Sequence, residues 1–84
     1  FTKALAQEGA AQGITVNAIA PGYVDTDMVR AVPQKVLERI IQRIPVGRLG
    51  NAKDIARGVV FLTGDDADFI TGSTLSINGG QHMY

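Results

Sequence analysis

The sequence predicts an α/β fold in which short parallel strands are joined by crossover helices. Two short β-branched runs, residues 14–20 and 73–77, are separated by helical patterns rather than by a hairpin turn, which implies a parallel pairing. Apolar residues recur at helical spacing in the stretches before, between and after the first run's turn. The first run is also almost wholly apolar, with Asn17 its strongly polar exception, as suits a strand buried on both faces of a sheet. Such a strand needs neighbours on both sides, and the chain supplies one, so the rest of the sheet is expected from elsewhere.

The elements follow in order. Phe1, Ala4, Leu5 and Glu8 form one stripe of a helix over residues 1–12, with no Ser, Asp or Asn to cap its start and Gly13 placed for a left-handed stop. The chain thus opens in mid-helix and reads as the carboxyl-terminal part of something longer. The strand over 14–20 is broken by Pro21-Gly22. Thr26 or Asp27 then caps a short helical turn, and Pro33 occupies a first-turn position. Val36, Leu37, Ile40, Ile41 and Ile44 make an apolar stripe opposite Lys35, Glu38, Arg39, Gln42 and Arg43, ended by Pro45. Past a turn-rich connector over 45–50, Asn51 caps a helix to about Thr63, with Asp54 as an imperfect capping-box partner and Gly64 as the stop. Its expected buried face is Ile55, Ala56, Val59, Val60 and Leu62. An acidic loop (Asp65, Asp66, Asp68) leads to the second strand over 73–77, closed by Asn78-Gly79-Gly80.

Composition narrows the function classes. With 84 residues, area scaling gives roughly 4,800 Å² exposed when folded against about 13,000 Å² extended, a marginal core. There is no Cys and one His, so neither a disulfide framework nor a Cys/His zinc site can stabilise it. Eight basic and eight acidic residues give zero formal net charge, and 45% hydrophobic with 19% charged residues is a globular balance. Neither nucleic acid nor a membrane surface is favoured as a partner, and no signal or spanning segment is present, so a cytoplasmic location is expected. Charge is nonetheless uneven. Seven of the eight basic residues lie between Arg30 and Arg57, giving that segment +5 against −5 for the remainder. It reads either as a solvated face or as a positive rim for phosphates or an acidic partner, and no aromatic residue interleaves as in nucleic-acid binders. Arg48 is expected to anchor the connector by pairing with carboxylates, and His82 to be an ordinary surface or interface imidazole.

The sharpest motif is "NAIAPGYVDTDM", residues 17–28. It carries a strand's carboxyl end into a Pro-Gly bend, then into a helix start, and ligands of open α/β sheets bind at strand carboxyl ends. Gly22 clears a side chain from the backbone, the N–H and C=O around Val24 are available to a flat amide, and Thr26 offers a hydroxyl near a helix start where a phosphate can sit. The same pattern also fits a plain strand–turn–helix with a good cap, and spacing by itself does not identify a cofactor.

Four stretches, "ITVNAIAPGYVDTDM", "IPVGRLG", "DIARGVVFL" and "FITGSTLSINGGQHM", resemble in order and spacing the carboxyl-terminal third of the short-chain dehydrogenases/reductases, and together they span nearly the whole chain. Within that family the chain looks most like the acetoacetyl-CoA and the closely similar 3-oxoacyl-carrier-protein reductases, and the ending "INGGQHMY" leans to the former. The resemblance implies the carboxyl-terminal portion of a Rossmann-type doubly wound parallel sheet (helix–strand–lid helices–helix–strand), residues 1–84 being part of one NAD(P)-binding domain. It implies that Pro21, Gly22, Val24 and Thr26 hold the nicotinamide end of NADP(H), with the Val24 backbone pairing the carboxamide. Tyr23 and Met28 would face the substrate, though an aromatic packed under the lid and a core methionine are their plainer readings. Residues 27–45 would form the lid over an acyl-CoA thioester. The implied reaction is NADPH-dependent reduction of acetoacetyl-CoA to the (3R)-hydroxyacyl thioester, as in polyhydroxybutyrate precursor synthesis, by a homo-oligomer, typically a tetramer, whose tail over 79–84 packs at a subunit interface. Gln12, where carrier-protein reductases often have a basic residue, favours CoA.

The family's glycine-rich phosphate loop and its catalytic Ser, Tyr and Lys belong to the part preceding these residues. Tyr23 and Tyr84 lack a Lys four positions on, so neither reproduces the family's Tyr-x-x-x-Lys spacing. No catalytic residue is therefore assigned within the chain, and the 84 residues alone are not expected to turn over. Alternatives are the carrier-protein reductase of fatty-acid synthesis, more distantly a sugar or steroid dehydrogenase, or a non-catalytic module pairing through its strand edges. Residues 14–20 carry no charge or bulge that would protect such an edge, which speaks against the module.

Overall fold

In a computed structural model that describes residues 1–82, the order of elements is α1 (Thr2–Ala10), β1 (Ala18–Pro21), α2 (Asp27–Arg30), α3 (Gln34–Gln42), α4 (Ala52–Thr63) and β2 (Thr74–Ile77). Met83 and Tyr84, the end of the tail assigned to a subunit interface, lie outside the described residues. The fold is α/β, with the two strands parallel as expected and in the register Ala18↔Thr74 to Pro21↔Ile77.

Local chemistry accounts for most element ends. No side chain caps α1. Its exit is a Schellman turn, with Ile14 N–H on Gly9 C=O (3.1 Å) and Gly13 N–H on Ala10 C=O (3.1 Å), and with Gly13 at φ +76°. The Thr26 hydroxyl accepts from Val29 N–H at the start of α2. Pro33 takes the cap position of α3, one residue ahead of the expected first turn. Asn51 and Asp54 form a complete reciprocal capping box on α4: Asp54 N–H donates to Asn51 Oδ1 (3.0 Å), and Asn51 N–H donates to Asp54 Oδ2 (2.8 Å).

Two expectations are corrected. The strand expected over 14–20 is regular only from Ala18, because its first half bonds to a loop rather than to a strand. Val16 N–H donates to Thr71 Oγ1 (3.0 Å), Gly72 N–H donates to Val16 C=O (2.7 Å), and the Asn17 side chain donates to Ile70 C=O (2.9 Å) while accepting from Ser73 N–H (3.0 Å). Secondly, α4 buries only part of the face read from its sequence. Gly58 and Leu62 are buried and Ile55 half-buried, whereas Ala56, Val59 and Val60 are exposed. Gly58 marks the side on which β2 lies, since the side-chain ends of Ile77 and Leu75 pack over its bare Cα. On α1 the buried residue is Ala6, while Phe1 and Leu5 face outward.

The core is divided. Leu37, Ile44 and Leu49 form one cluster with Val29, Val32, Ile40 and Ile41, all drawn from residues 29–49. Ala6, Leu62 and Ala67 are the remaining buried apolar residues. The chain exposes 6415 Å², against the roughly 4,800 Å² expected of a compact chain of this mass. Its radius of gyration is 15.6 Å, where about 12 Å would be compact. Large apolar side chains account for much of the excess, Phe61, Phe69 and Val60 among them. Among the described residues no helix is long and apolar enough to cross a membrane.

Candidate functional site

Parallel pairing sets the carboxyl ends of β1 and β2 side by side, and the site residues follow those ends. Gly22 N–H continues the ladder onto Ile77 C=O (2.9 Å). Opposite it, Asn78 organises the turn after β2: its Oδ1 accepts from Gly80 N–H (3.0 Å) and its Nδ2 donates to His82 C=O (2.7 Å). Gly79 and Gly80 lie at φ +66° and +88°, where side chains are strained, so the Gly-Gly pair is what lets the chain fold back here. Gly79 C=O accepts from Val46 N–H (3.1 Å), tying the end of the α2–α3 segment to the end of β2.

Two clefts open at this edge. One, of about 310 Å³, is lined by Pro21, Gly22, Tyr23, Asn78, Gln81 and His82. The other, of about 190 Å³, includes Tyr23, Arg48, Asp54, Ile77 and Asn78. Tyr23 and Asn78 border both. The motif residues Pro21, Gly22 and Tyr23 are thus brought together, with Tyr23 partly exposed beside the clefts. Met28 lines neither of them and is 84% exposed on α2.

Val24 stands in an unusual backbone position. It forms an isolated parallel bridge with Gly50, in which Gly50 N–H donates to Tyr23 C=O (2.9 Å) and Asp25 N–H donates to Gly50 C=O (2.8 Å). In such a parallel bridge one residue, here Gly50, bonds through its own N–H and C=O to the neighbours of the other, whose own groups turn to the opposite side. Among the described residues, Val24 N–H and C=O have no hydrogen-bond partner. A donor and an acceptor of one residue left open on an extended segment match the acceptor and donor of a planar carboxamide. Thr26 oxygen is occupied as an acceptor by Val29 N–H, leaving its O–H as a donor.

Two ion pairs frame the segment. Arg30 binds Asp25 through both carboxylate oxygens (2.7 and 2.9 Å), closing α2 onto the residue after Val24. Arg48 binds Asp54 (2.8 and 3.3 Å) and also donates to Leu49 C=O (2.9 Å), the anchoring role expected of it. Each Arg holds its carboxylate below the ordinary range chiefly by hydrogen bonding, and Asn51 N–H adds to the effect on Asp54. The carboxylates hold Arg30 and Arg48 protonated in return.

Two contributors are not legible from spacing. Gly50 reads as part of a turn-rich connector and Asn78 as a closing turn, yet one orients Val24 and the other walls Gly22. The Asn-Gly-Gly run is the available signal for the second. For Gly50 no local signal exists, because its partner is 26 residues away in sequence.

Comparison with known proteins bears on this arrangement. A family model described as enoyl-(acyl carrier protein) reductase matches residues 1–82. The chain is 74% identical over 84 residues to an acetoacetyl-CoA reductase of Rhizobium meliloti, covering 99% of this chain and 35% of that protein. It is 64% identical over 83 residues to the acetoacetyl-CoA reductase of Paracoccus denitrificans, covering 96% and 34%. To a 3-oxoacyl-(acyl-carrier-protein) reductase of Haemophilus influenzae it is 52% identical over 83 residues, covering 99% and 34%. The chain spans about a third of the length of these curated relatives.

Proposed function

The chain belongs to this reductase family, the short-chain dehydrogenases/reductases, and from that premise we propose that it forms the cofactor- and substrate-facing carboxyl-terminal part of an NADPH-dependent 3-oxoacyl thioester reductase. The observation that carries the reading is the open N–H and C=O pair of Val24 at the carboxyl end of the sheet. When bound, NADPH would supply the hydride for the 3-oxo carbon, and the proton that completes the (3R)-hydroxyacyl product would come from the family's catalytic residues, which lie outside this chain. The chain's own part is to hold and enclose. Val24 N–H donates to the carboxamide oxygen and its C=O accepts from the amide nitrogen. Pro21 and Gly22 border the nicotinamide side of the cleft, and the Thr26 O–H donates to the cofactor. Tyr23, beside both clefts, faces the acyl group, and Met28 reaches it from the lid.

Residues 27–45 act as that lid. The packing of Leu37 and Ile44 with Val29, Val32, Ile40 and Ile41 supports this, since it gives the segment apolar contacts of its own. Closing it excludes water and fixes the donor–acceptor geometry. Acetoacetyl-CoA is the preferred substrate, supported by the 74% relative and by Gln12, and the basic stretch from Arg30 to Arg57 is suited to CoA phosphates. The 52% relative supports a carrier-protein thioester as the second reading.

The test is steady-state kinetics of the full-length enzyme containing this chain, in its cytoplasmic homo-oligomeric form. NADPH and NADH are compared as donors, and acetoacetyl-CoA and acetoacetyl-carrier protein as acceptors. A higher kcat/KM with NADPH and acetoacetyl-CoA is expected. A preference for the carrier-protein thioester establishes the second reading, and no reduction of either sinks both. Light scattering on the same sample is expected to give four chains per particle.

A further inference from the structure

We propose that Arg48 and Asp54 are positioning residues for the cofactor amide, acting through Gly50, an inference that rests on Val24 being its partner. Gly50 lies between them in the chain. On its amino side Arg48 is fixed by a forked contact to Asp54 and by donation to Leu49 C=O. On its carboxyl side Asn51 N–H is fixed by the same Asp54 carboxylate. One carboxylate therefore grips the residues on both sides of Gly50. The peptide groups of Gly50 in turn hold Tyr23 C=O and Asp25 N–H, and so settle which way Val24 faces.

Stability is a poor account of this ion pair. Its side chains are 56% and 28% exposed, and exposed pairs contribute little to folding. A planar fork gripping a carboxylate gives direction more than strength. Direction is what the Gly50 bridge needs, because Gly50 has no side chain of its own to pack and nothing crowds its Cβ position closer than 3.5 Å.

The experiment uses the full-length enzyme and two cofactors, NADPH and its 3-acetylpyridine analogue. The analogue keeps the carbonyl acceptor but replaces the amide nitrogen by a methyl group, so it cannot donate to Val24 C=O. Dissociation constants are read from fluorescence titration without substrate, and Tm is read alongside. In the wild type the analogue is expected to bind on the order of five-fold more weakly, the worth of one neutral hydrogen bond. In Arg48→Ala the ratio is expected to fall towards one, with Tm little changed, and Arg48→Lys should restore it only in part. Asp54→Asn keeps an acceptor for Asn51 N–H but loses the charge, and it serves as the second variant if Arg48→Ala does not fold. A wild-type ratio near five that persists in the variants overturns the positioning role and leaves the Val24 reading standing. A wild-type ratio of one overturns the Val24 reading, and the inference falls with it.

Discussion

Gly22 and Asn78 are in backbone contact: a Cβ on Gly22 would stand 2.6 Å from Asn78 Cβ and 2.8 Å from its Cα. The glycine that a ligand-centred reading explains by cofactor approach is thus already required by the sheet's own edge. The contact holds the turn after β1 against the turn after β2, where both clefts open. Gly22→Ala in the full-length enzyme is expected to lower stability by about 1–3 kcal/mol, the range of small overpacking changes that must move backbone. Chemical denaturation measures it. The KM for NADPH should rise with it, and a variant as stable as the wild type would show that the two turns are free to part.

Asn17 is the polar residue of an otherwise apolar run, and its amide is fully used, donating to Ile70 C=O and accepting from Ser73 N–H. It joins the entry of β1 to the loop that enters β2, bridging more than 50 residues of sequence. Asn17→Ala leaves the part-buried Ile70 carbonyl unpaired and the exposed Ser73 N–H to water, and a loss of about 1–3 kcal/mol is expected. Asn17→Asp should be worse at neutral pH, because its carboxylate faces the Ile70 carbonyl. A loss under 0.5 kcal/mol for Asn17→Ala, roughly that of a neutral surface change, would refute the clamp.

Whatever is decided within a few residues is legible in the sequence. Thr26, Gly13 and the Asn51–Asp54 pair work through spacings of three or four positions, so their capping roles can be read from local spacing alone. Parallel pairing is readable too, because helices rather than a tight turn separate the strands. The buried face of α4 is not. Apolar residues lie on several sides of that helix, and hydrophobicity cannot say that the strand sits on the side bearing Gly58. For the site, Pro21 to Thr26 are legible as a motif, but the Gly50 bridge is a long-range backbone pairing without side-chain signature.

Acid should act on the connector before it acts on the core. Arg48, and then Asn51 N–H, hold Asp54 below the ordinary carboxylate range, so its ionised form is favoured by folding. A carboxylate with a depressed folded value contributes stability that is complete above its unfolded value near pH 4 and is lost as pH falls through the folded one. Asp25, held by Arg30, behaves in the same sense. Tm of the wild type is therefore expected to fall faster than that of Asp54→Asn as pH drops below about 4, and the two curves should converge at the acid end. Parallel curves throughout would mean that ionisation of Asp54 adds nothing to folding.

The chain also exposes surface that these residues cannot cover by themselves. Phe61 and Val60 on α4 and Phe69 in the following loop are 60%, 69% and 99% exposed. The sheet has two strands with an open edge on each side, and sheets of this kind ordinarily carry further strands and helices on both faces. A polypeptide of these 84 residues prepared in isolation is accordingly expected to be partly folded or aggregation-prone. It should bind a hydrophobic dye and melt without a cooperative transition, and adding the remainder of the fold should abolish both behaviours. A soluble monomer with a sharp thermal transition would instead mean that the Leu37, Ile44 and Leu49 cluster and the β1–β2 pair hold the fold unaided.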